Sequence, residues 1–245
     1  MHYAFDWAFV LHVLPRFARA LVVTLQVFIS ALLISTSGAI VMALWSRRET
    51  RLLRALLTTF SWLFRGLPEL IVLLFAYLAL PQMGVPLSPF WAATLGLAAI
   101  GMAYEYEIFR AALNAVPNGQ FEAARALGIT PFTMSRRIIL PQVLRIVLAP
   151  YITFACSSLK RTAVASAVAV PEIMGLAERF NEAFQKPFEL MLIAMVFYGG
   201  LSSLLMLAEL LVERHFAKTQ AHPDATIGRG MNEPDSALTG VGGSA

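Results

Sequence analysis

Residues 20–46 contain no charged side chain, and a helix rising about 1.5 Å per residue needs roughly 20 residues to cross the ~30 Å hydrocarbon core of a bilayer. A segment that long and that apolar has lipid as its natural solvent. The remainder agrees: 58% of the residues are hydrophobic and 14% charged, against about 45–50% and about 25% in a soluble domain. A water-soluble core does not hide that much apolar surface. The expected fold class is therefore an all-α polytopic membrane protein with five transmembrane helices. Residues 1–6 hold no Lys or Arg, unlike the basic start of a cleaved signal peptide, so the first apolar segment is expected to be a mature span.

The first span is expected at residues 21–44, followed at once by Arg47, Arg48, Arg51 and Arg54. Basic residues gather on the cytoplasmic side, which puts the N-terminus outside. Arg65 and Glu69 interrupt the second apolar stretch, residues 55–80. The part after Glu69 is too short to cross alone, so this span must use both sides of Arg65-Gly66-Leu67-Pro68-Glu69. Arg65 and Glu69, four apart, could pair on one helix face, and Gly66 with Pro68 weakens the helix there, as a kink or a hinge. Pro81, Gly84, Pro86 and Pro89 mark an external turn. A third span follows at residues 90–109, and Arg110, Arg125, Arg136, Arg137 and Arg145 make residues 110–145 a cytoplasmic loop.

A fourth span is expected at residues 146–159, with its outer end unplaced across residues 162–170. Residues 171–187 carry Glu172, Glu178, Arg179, Glu182 and Lys186 in near balance and are expected outside. Residues 190–211 form a fifth span, and Arg214, His215 and Lys218 return the chain to the cytoplasm. Residues 1–218 thus read as one transmembrane domain. Residues 219–245, rich in small and polar side chains, read as a disordered tail.

Several chemistries are unsupported. Cys156 is the only cysteine, so no disulfide forms within the chain, and His2, His12, His215 and His222 are too scattered for a metal site. The net charge of +4 sits beside apolar segments, not in a stripe interleaved with aromatics, so no nucleic-acid partner is expected. No Gly-x4-Gly-Lys-Ser/Thr loop is present to cradle a nucleotide.

The most specific pattern lies in the cytoplasmic loop. Glu122-Ala123-Ala124 is followed after three residues by Gly128, and after nine more by Ile138-Ile139-Leu140-Pro141. Residues 121–127 favour a short helix, Gly128 suits its C-terminal turn, and Pro131 and Pro141 limit the segments that follow. The two alanines would allow close approach to a partner, to which Glu122 and Arg125 could hydrogen-bond. Position for position this resembles the EAA loop of permease subunits of ABC importers. The flanking Val116-Pro117-Asn118-Gly119-Gln120 and Arg125-Ala126-Leu127-Gly128 are similar to the polar amino acid branch, which handles histidine, glutamine, arginine or opines. Arg65 to Pro68, Ala103-Tyr104, Glu107 to Arg110, Leu159-Lys160 with Thr162, and Val170 to Glu172 extend the resemblance.

The resemblance implies a multi-pass subunit of the bacterial cytoplasmic membrane, itself no enzyme and holding no cofactor. Two ATPase chains that use ATP and Mg, a second permease chain (identical or a paralogue), an external substrate-binding protein and membrane lipid are the implied partners. The implied coupling residues are Glu122, Ala123, Ala124, Arg125, Gly128, Ile138, Leu140 and Pro141. Ionisable groups inside spans are pathway candidates by their cost: Arg65, Glu105, Glu107, Lys160 and Arg161. Glu107 and Arg110, three apart, suit a structural ion pair. Glu105 points to nearly the opposite face and either lines the pathway or solvates at the inner interface. Arg161 departs from the Ser or Asp of the resembled branch and either binds a carboxylate or reaches the headgroups. A secondary transporter or an intramembrane enzyme would need a mid-membrane ion site with a repeat, or a convergent catalytic set; the sequence offers neither.

Overall fold

Prolines, and the left-handed residues that follow helices, decide where this chain turns. The computed structural model describes residues 4–46 and 50–220, and every regular element among them is helical. Residues 1–209 form one packed unit and residues 210–245 a second; the packing below belongs to the first. Arg47, Arg48 and most of the expected tail lie outside the described residues.

Helix α1, Trp7–Ser46, starts well before the expected residue 21 and spans 40 residues. At about 1.5 Å per residue that is twice the thickness of the hydrocarbon core, so only part of it lies in lipid. Its first turns form because they have partners: Val13, Phe17 and Ala20 are buried against α8, Ile173–Phe184, and the start of α9, Pro187–Gln220. Lys186 pairs with Asp6, and the Asp6 N–H donates to Glu189 Oε1 at 3.2 Å. Hydrogen bonds from Lys186 and from the Phe9 amide hold the Asp6 carboxyl below the usual carboxylate range.

Helix α2, Arg51–Gly66, meets at 105° the helical run Glu69–Met83, which opens with α3, Glu69–Leu74. The break follows from Pro68, which bars helical geometry from the residue before it; Leu67 is extended at φ −83°, ψ 138°. The expected Arg65–Glu69 pair does not form, because the helix that would align them ends between them. Arg65 Nε instead donates to the Ser61 carbonyl at 3.4 Å. From α3 the chain continues through a π turn, Phe75–Ala79, and a 3-10 turn, Leu80–Met83, and is stopped by Gly84 at φ 86°.

Helix α4, Pro89–Ala115, is capped by Ser88, whose Oγ accepts from the Trp91 N–H at 3.4 Å. It packs against α1, α2, α3 and α7, Leu140–Arg161. Ala92, Ala93, Gly96, Gly101 and Ala103 on α4 are all buried and let neighbouring backbones approach closely. A Cβ added at Gly101 would lie 2.9 Å from Ser35 Cβ on α1.

After α4 come α5, Asn118–Ala126, and α6, Pro131–Met134, which runs through a π turn, Ser135–Ile139, into α7. Pro141 therefore lies within a continuing helical run and starts no separate segment. A 3-10 turn, Thr162–Val168, ended by Ala169 at φ 62°, closes the fourth segment, whose end hydropathy left open. Glu172 is not one of the exposed charges of residues 171–187. It is fully buried as the cap of α8, where Oε1 accepts from the Gly175 N–H at 2.6 Å and Oε2 from Tyr198 OH at 2.5 Å. The acids facing water in this segment are Glu178 and Glu182.

Among the described residues three helical stretches are long and apolar enough to cross a membrane, and a fourth if the bent pair Arg51–Gly66 and Glu69–Met83 counts as one. Helix α4 is not among them: being wrapped by other helices, it can carry Glu105 and Glu107 without presenting them to lipid. One prediction follows from α8. A Cβ at Gly175 would press on the Val170 carbonyl oxygen, which is backbone and cannot yield as a side chain would. Gly175→Ala is expected to destabilise the protein by about 1–3 kcal/mol, read as a lower thermal unfolding midpoint in detergent. An unchanged midpoint would show that the α8 N-terminus is looser than described.

Candidate functional site

The motif in residues 122–141 is built around one helix ending. Beyond Ala126 the Gly128 N–H donates to the Arg125 carbonyl and the Ile129 N–H to the Ala124 carbonyl, both at 3.0 Å. This is the Schellman pairing, which requires the first of the two donor residues to be left-handed. Gly128, at φ 68°, supplies it.

Burial divides the motif into two sets. Ala124, 2% exposed, and Ile139 pack into the chain's own core with Ala112 of α4, Val116 just after it, and Val143 and Val147 of α7. Ala124 thus faces inward, and of the two alanines only Ala123 is open to a partner. Glu122, Arg125, Gly128, Leu140 and Pro141 are exposed and Ile138 is half-buried. Beside them stand two large apolar side chains that the sequence reading passed over, Leu127 at 78% and Phe132 at 73% exposure. Their signal was legible: each lies on a polar loop with no apolar periodicity to bury it.

The ionisable candidates are not gathered at one point. Glu105 is fully buried; Ser35 Oγ on α1 donates to its Oε1 at 2.9 Å, while Oε2 has no hydrogen-bond partner. It therefore neither solvates at an interface nor opens onto a channel in this state. Glu107 faces the other way, accepting from Ser61 of α2 at 3.0 Å and from Arg110 at 2.5 Å. Arg65 and Lys160 are exposed.

Arg161 sits in the best-defined constellation. Its Nε lies 3.0 Å from Glu69 Oε1, and its guanidinium lies 4.9 Å from the Tyr104 ring centroid and 5.5 Å from that of Phe154. It also borders a small void of about 20 Å³, lined by Ser35, Gly101, Ser158 and Thr162 among others. The sequence offered Glu69 only as a partner for Arg65 and Tyr104 only as part of the resemblance, because their proximity to Arg161 is purely tertiary. Glu209 escaped the sequence reading. It accepts from Thr153 Oγ1 at 2.6 Å, and as an acid within the expected fifth span it carried the same signal as Glu105. Thr153, Ser157 and Lys160 are all exposed on one face of α7, an unfavourable surface to leave against lipid.

Comparison with known proteins places this geometry. A family model described as binding-protein-dependent transport system inner membrane component matches residues 35–218, more than half of the chain. The chain is 33% identical to the probable amino-acid permease protein YxeN of Bacillus subtilis, over 87% of this chain and 96% of that protein. It is 32% identical to the histidine/lysine/arginine/ornithine transport system permease protein HisM of Salmonella typhimurium, over 75% and 83% of the two. A solved structure of an amino acid ABC transporter with histidines superposes with a TM-score of 0.80 at 27% identity, covering 87% of this chain and all of that one.

Proposed function

The chain belongs to the binding-protein-dependent transport inner membrane component family and is a permease subunit of an ABC importer, and we propose that it forms the pathway for a polar amino acid. In this reading α4 joins the other segments as one of five spans, with the N-terminus outside and the C-terminus in the cytoplasm of a bacterium. The assembly comprises two permease chains, identical or paralogous, two ATPase chains and an external binding protein. This chain holds no cofactor, and ATP and Mg are used on the ATPase.

The single observation that carries the proposal is the division of the motif in residues 122–141. Ala124 and Ile139 fasten the loop to α4 and α7, while Glu122, Ala123, Arg125, Leu127 and Phe132 stand exposed. Exposed apolar side chains rimmed by charge are the make-up of a docking surface. A short helix so anchored transmits displacement as a rigid lever, and closure of the ATPase pair would tilt α4 and α7 with it.

The polar face of α7, with Thr153, Ser157 and Lys160, suits the second permease or the water-filled path between the two chains. Near it, Arg161 and Glu69 offer one charge of each sign, as an amino acid's carboxylate and ammonium require. Their mutual pairing keeps both charges compensated when no substrate is present.

Co-purification of the tagged chain in mild detergent, with mass spectrometry of what remains bound, tests the proposal. The expected result is a P-loop ATPase at equal stoichiometry, with loss of that chain when Leu127 and Phe132 are both replaced by Ser. A chain that stays alone yet transports in liposomes without ATP would identify a secondary carrier instead.

A further inference from the structure

Between the end of α1, α2, α4 and α5 lies a cleft of about 560 Å³ lined by Ser46, Arg54, Thr58, Arg110, Asn114, Asn118, Phe121, Glu122 and Arg125. We infer that it holds the phosphate-bearing headgroup of an anionic lipid from the cytoplasmic leaflet. The inference rests on the orientation proposed above.

The lining is rich in donors and short of acceptors. Arg110 is compensated by Glu107, at 2.5 Å. Among the described residues no ion pair involves Arg54 or Arg125, and Glu122 is the one acid in the lining. With Glu122 offsetting one of those two arginines, the described lining keeps an excess of one positive charge, which a phosphodiester matches. Ser46, Thr58, Asn114 and Asn118 add neutral donors for its oxygens. The volume lies within the roughly 300–1,000 Å³ of small-ligand clefts, and an inorganic phosphate would leave most of it empty.

Position favours a lipid over a soluble anion. The cleft is framed by the last residue of α1, the first turns of α2 and the last turns of α4, at the depth of inner-leaflet headgroups in the proposed orientation. On α2, Leu52, Leu56, Trp62 and Leu63 are exposed, an apolar surface for the acyl chains, with a Trp of the kind enriched at interfaces. Basic pockets between spans on the cytoplasmic side are suited to such headgroups. Contact with the coupling helix through Glu122 and Arg125 would let the lipid bear on its position.

Native mass spectrometry of the permease–ATPase complex, titrated with phosphatidylglycerol or phosphatidylcholine, tests this. The expected result is one phosphatidylglycerol retained per copy of this chain, with no matching retention of phosphatidylcholine. Arg54→Gln should weaken retention about fivefold and Arg54→Lys should restore most of it. Equal retention by Arg54→Gln and the unmodified chain would overturn the assignment. So would displacement by inorganic phosphate, which would mark a soluble-anion site, or binding seen only after the ATPase is stripped, which would mean that the partner fills the cleft. The same spectra report whether an ATPase is bound at all, so failure of the importer reading is seen separately from failure of the lipid site.

Discussion

Gly128→Val is expected to reduce ATP-driven uptake into proteoliposomes by about tenfold or more while leaving insertion and helix content intact. An added Cβ at Gly128 meets nothing within 4 Å, so the effect is not steric crowding by neighbours. It comes from the backbone: at φ 68° a side chain is strained by roughly 1–2 kcal/mol, more for a β-branched one. Relief of that strain breaks the 3.0 Å bonds from Gly128 to Arg125 and from Ile129 to Ala124, and the lever no longer holds one angle. A shift of 1.4 kcal/mol is a factor of ten in population, which sets the expected size. The series should run in order of tolerance for the left-handed region: Gly128→Asn near the original activity, Gly128→Ala lower, Gly128→Val lowest. Glu122→Ala should also impair uptake with the fold unchanged, since its side chain is exposed. Equal uptake by the Asn and Val variants would sever the helix ending from coupling.

The Gly128 ending was legible because it is local: a glycine after a short helix former stretch, with a proline soon after, has few geometries open to it. The same holds for the break at Pro68 and for the pairing of Glu107 with Arg110, three apart on one helix. What the sequence concealed was tertiary. Hydropathy put the start of the first span near residue 21, because the stretch before it contains Arg16 and Arg19. Yet those turns are helical through contacts with α8 and α9, and Arg16 stacks over Phe180 at 5.5 Å. The sequence counted Glu172 among the charges of residues 171–187, and only the approach of Tyr198 shows it to be a buried cap. Ala124 looked like part of a docking face because the motif is read as one string, whereas helical periodicity turns it away from Ala123. Helix α4 shows the same limit from the other side: the expected span at residues 90–109 is a helix, but one less apolar than the other long helices, because it packs among α1, α2, α3 and α7.

The second large effect is expected where tertiary structure alone made the pairing. Arg161→Ala should lower stability in detergent by about 1–3 kcal/mol. That lies below the 3–5 kcal/mol typical of breaking a buried pair, because both side chains are about a quarter exposed, 25% and 26%. It removes the ion pair and, with it, the contacts to Tyr104 and Phe154. Glu69→Ala should be milder, since the guanidinium it leaves still lies over two aromatic faces. Removing both should cost less than the two single losses added, by about 1 kcal/mol or more, because the second change no longer strands a charge. Thermal unfolding of the four proteins measures that difference, and strict additivity would mean that the pair contributes nothing. Arg161→Lys separates structure from transport: it keeps the charge but loses the planar fork that stacks and binds carboxylate. Uptake by that variant should then show a raised KM for the amino acid at nearly unchanged stability. A KM equal to that of the unmodified chain would confine Arg161 to holding α3 against α7 and remove it from the pathway.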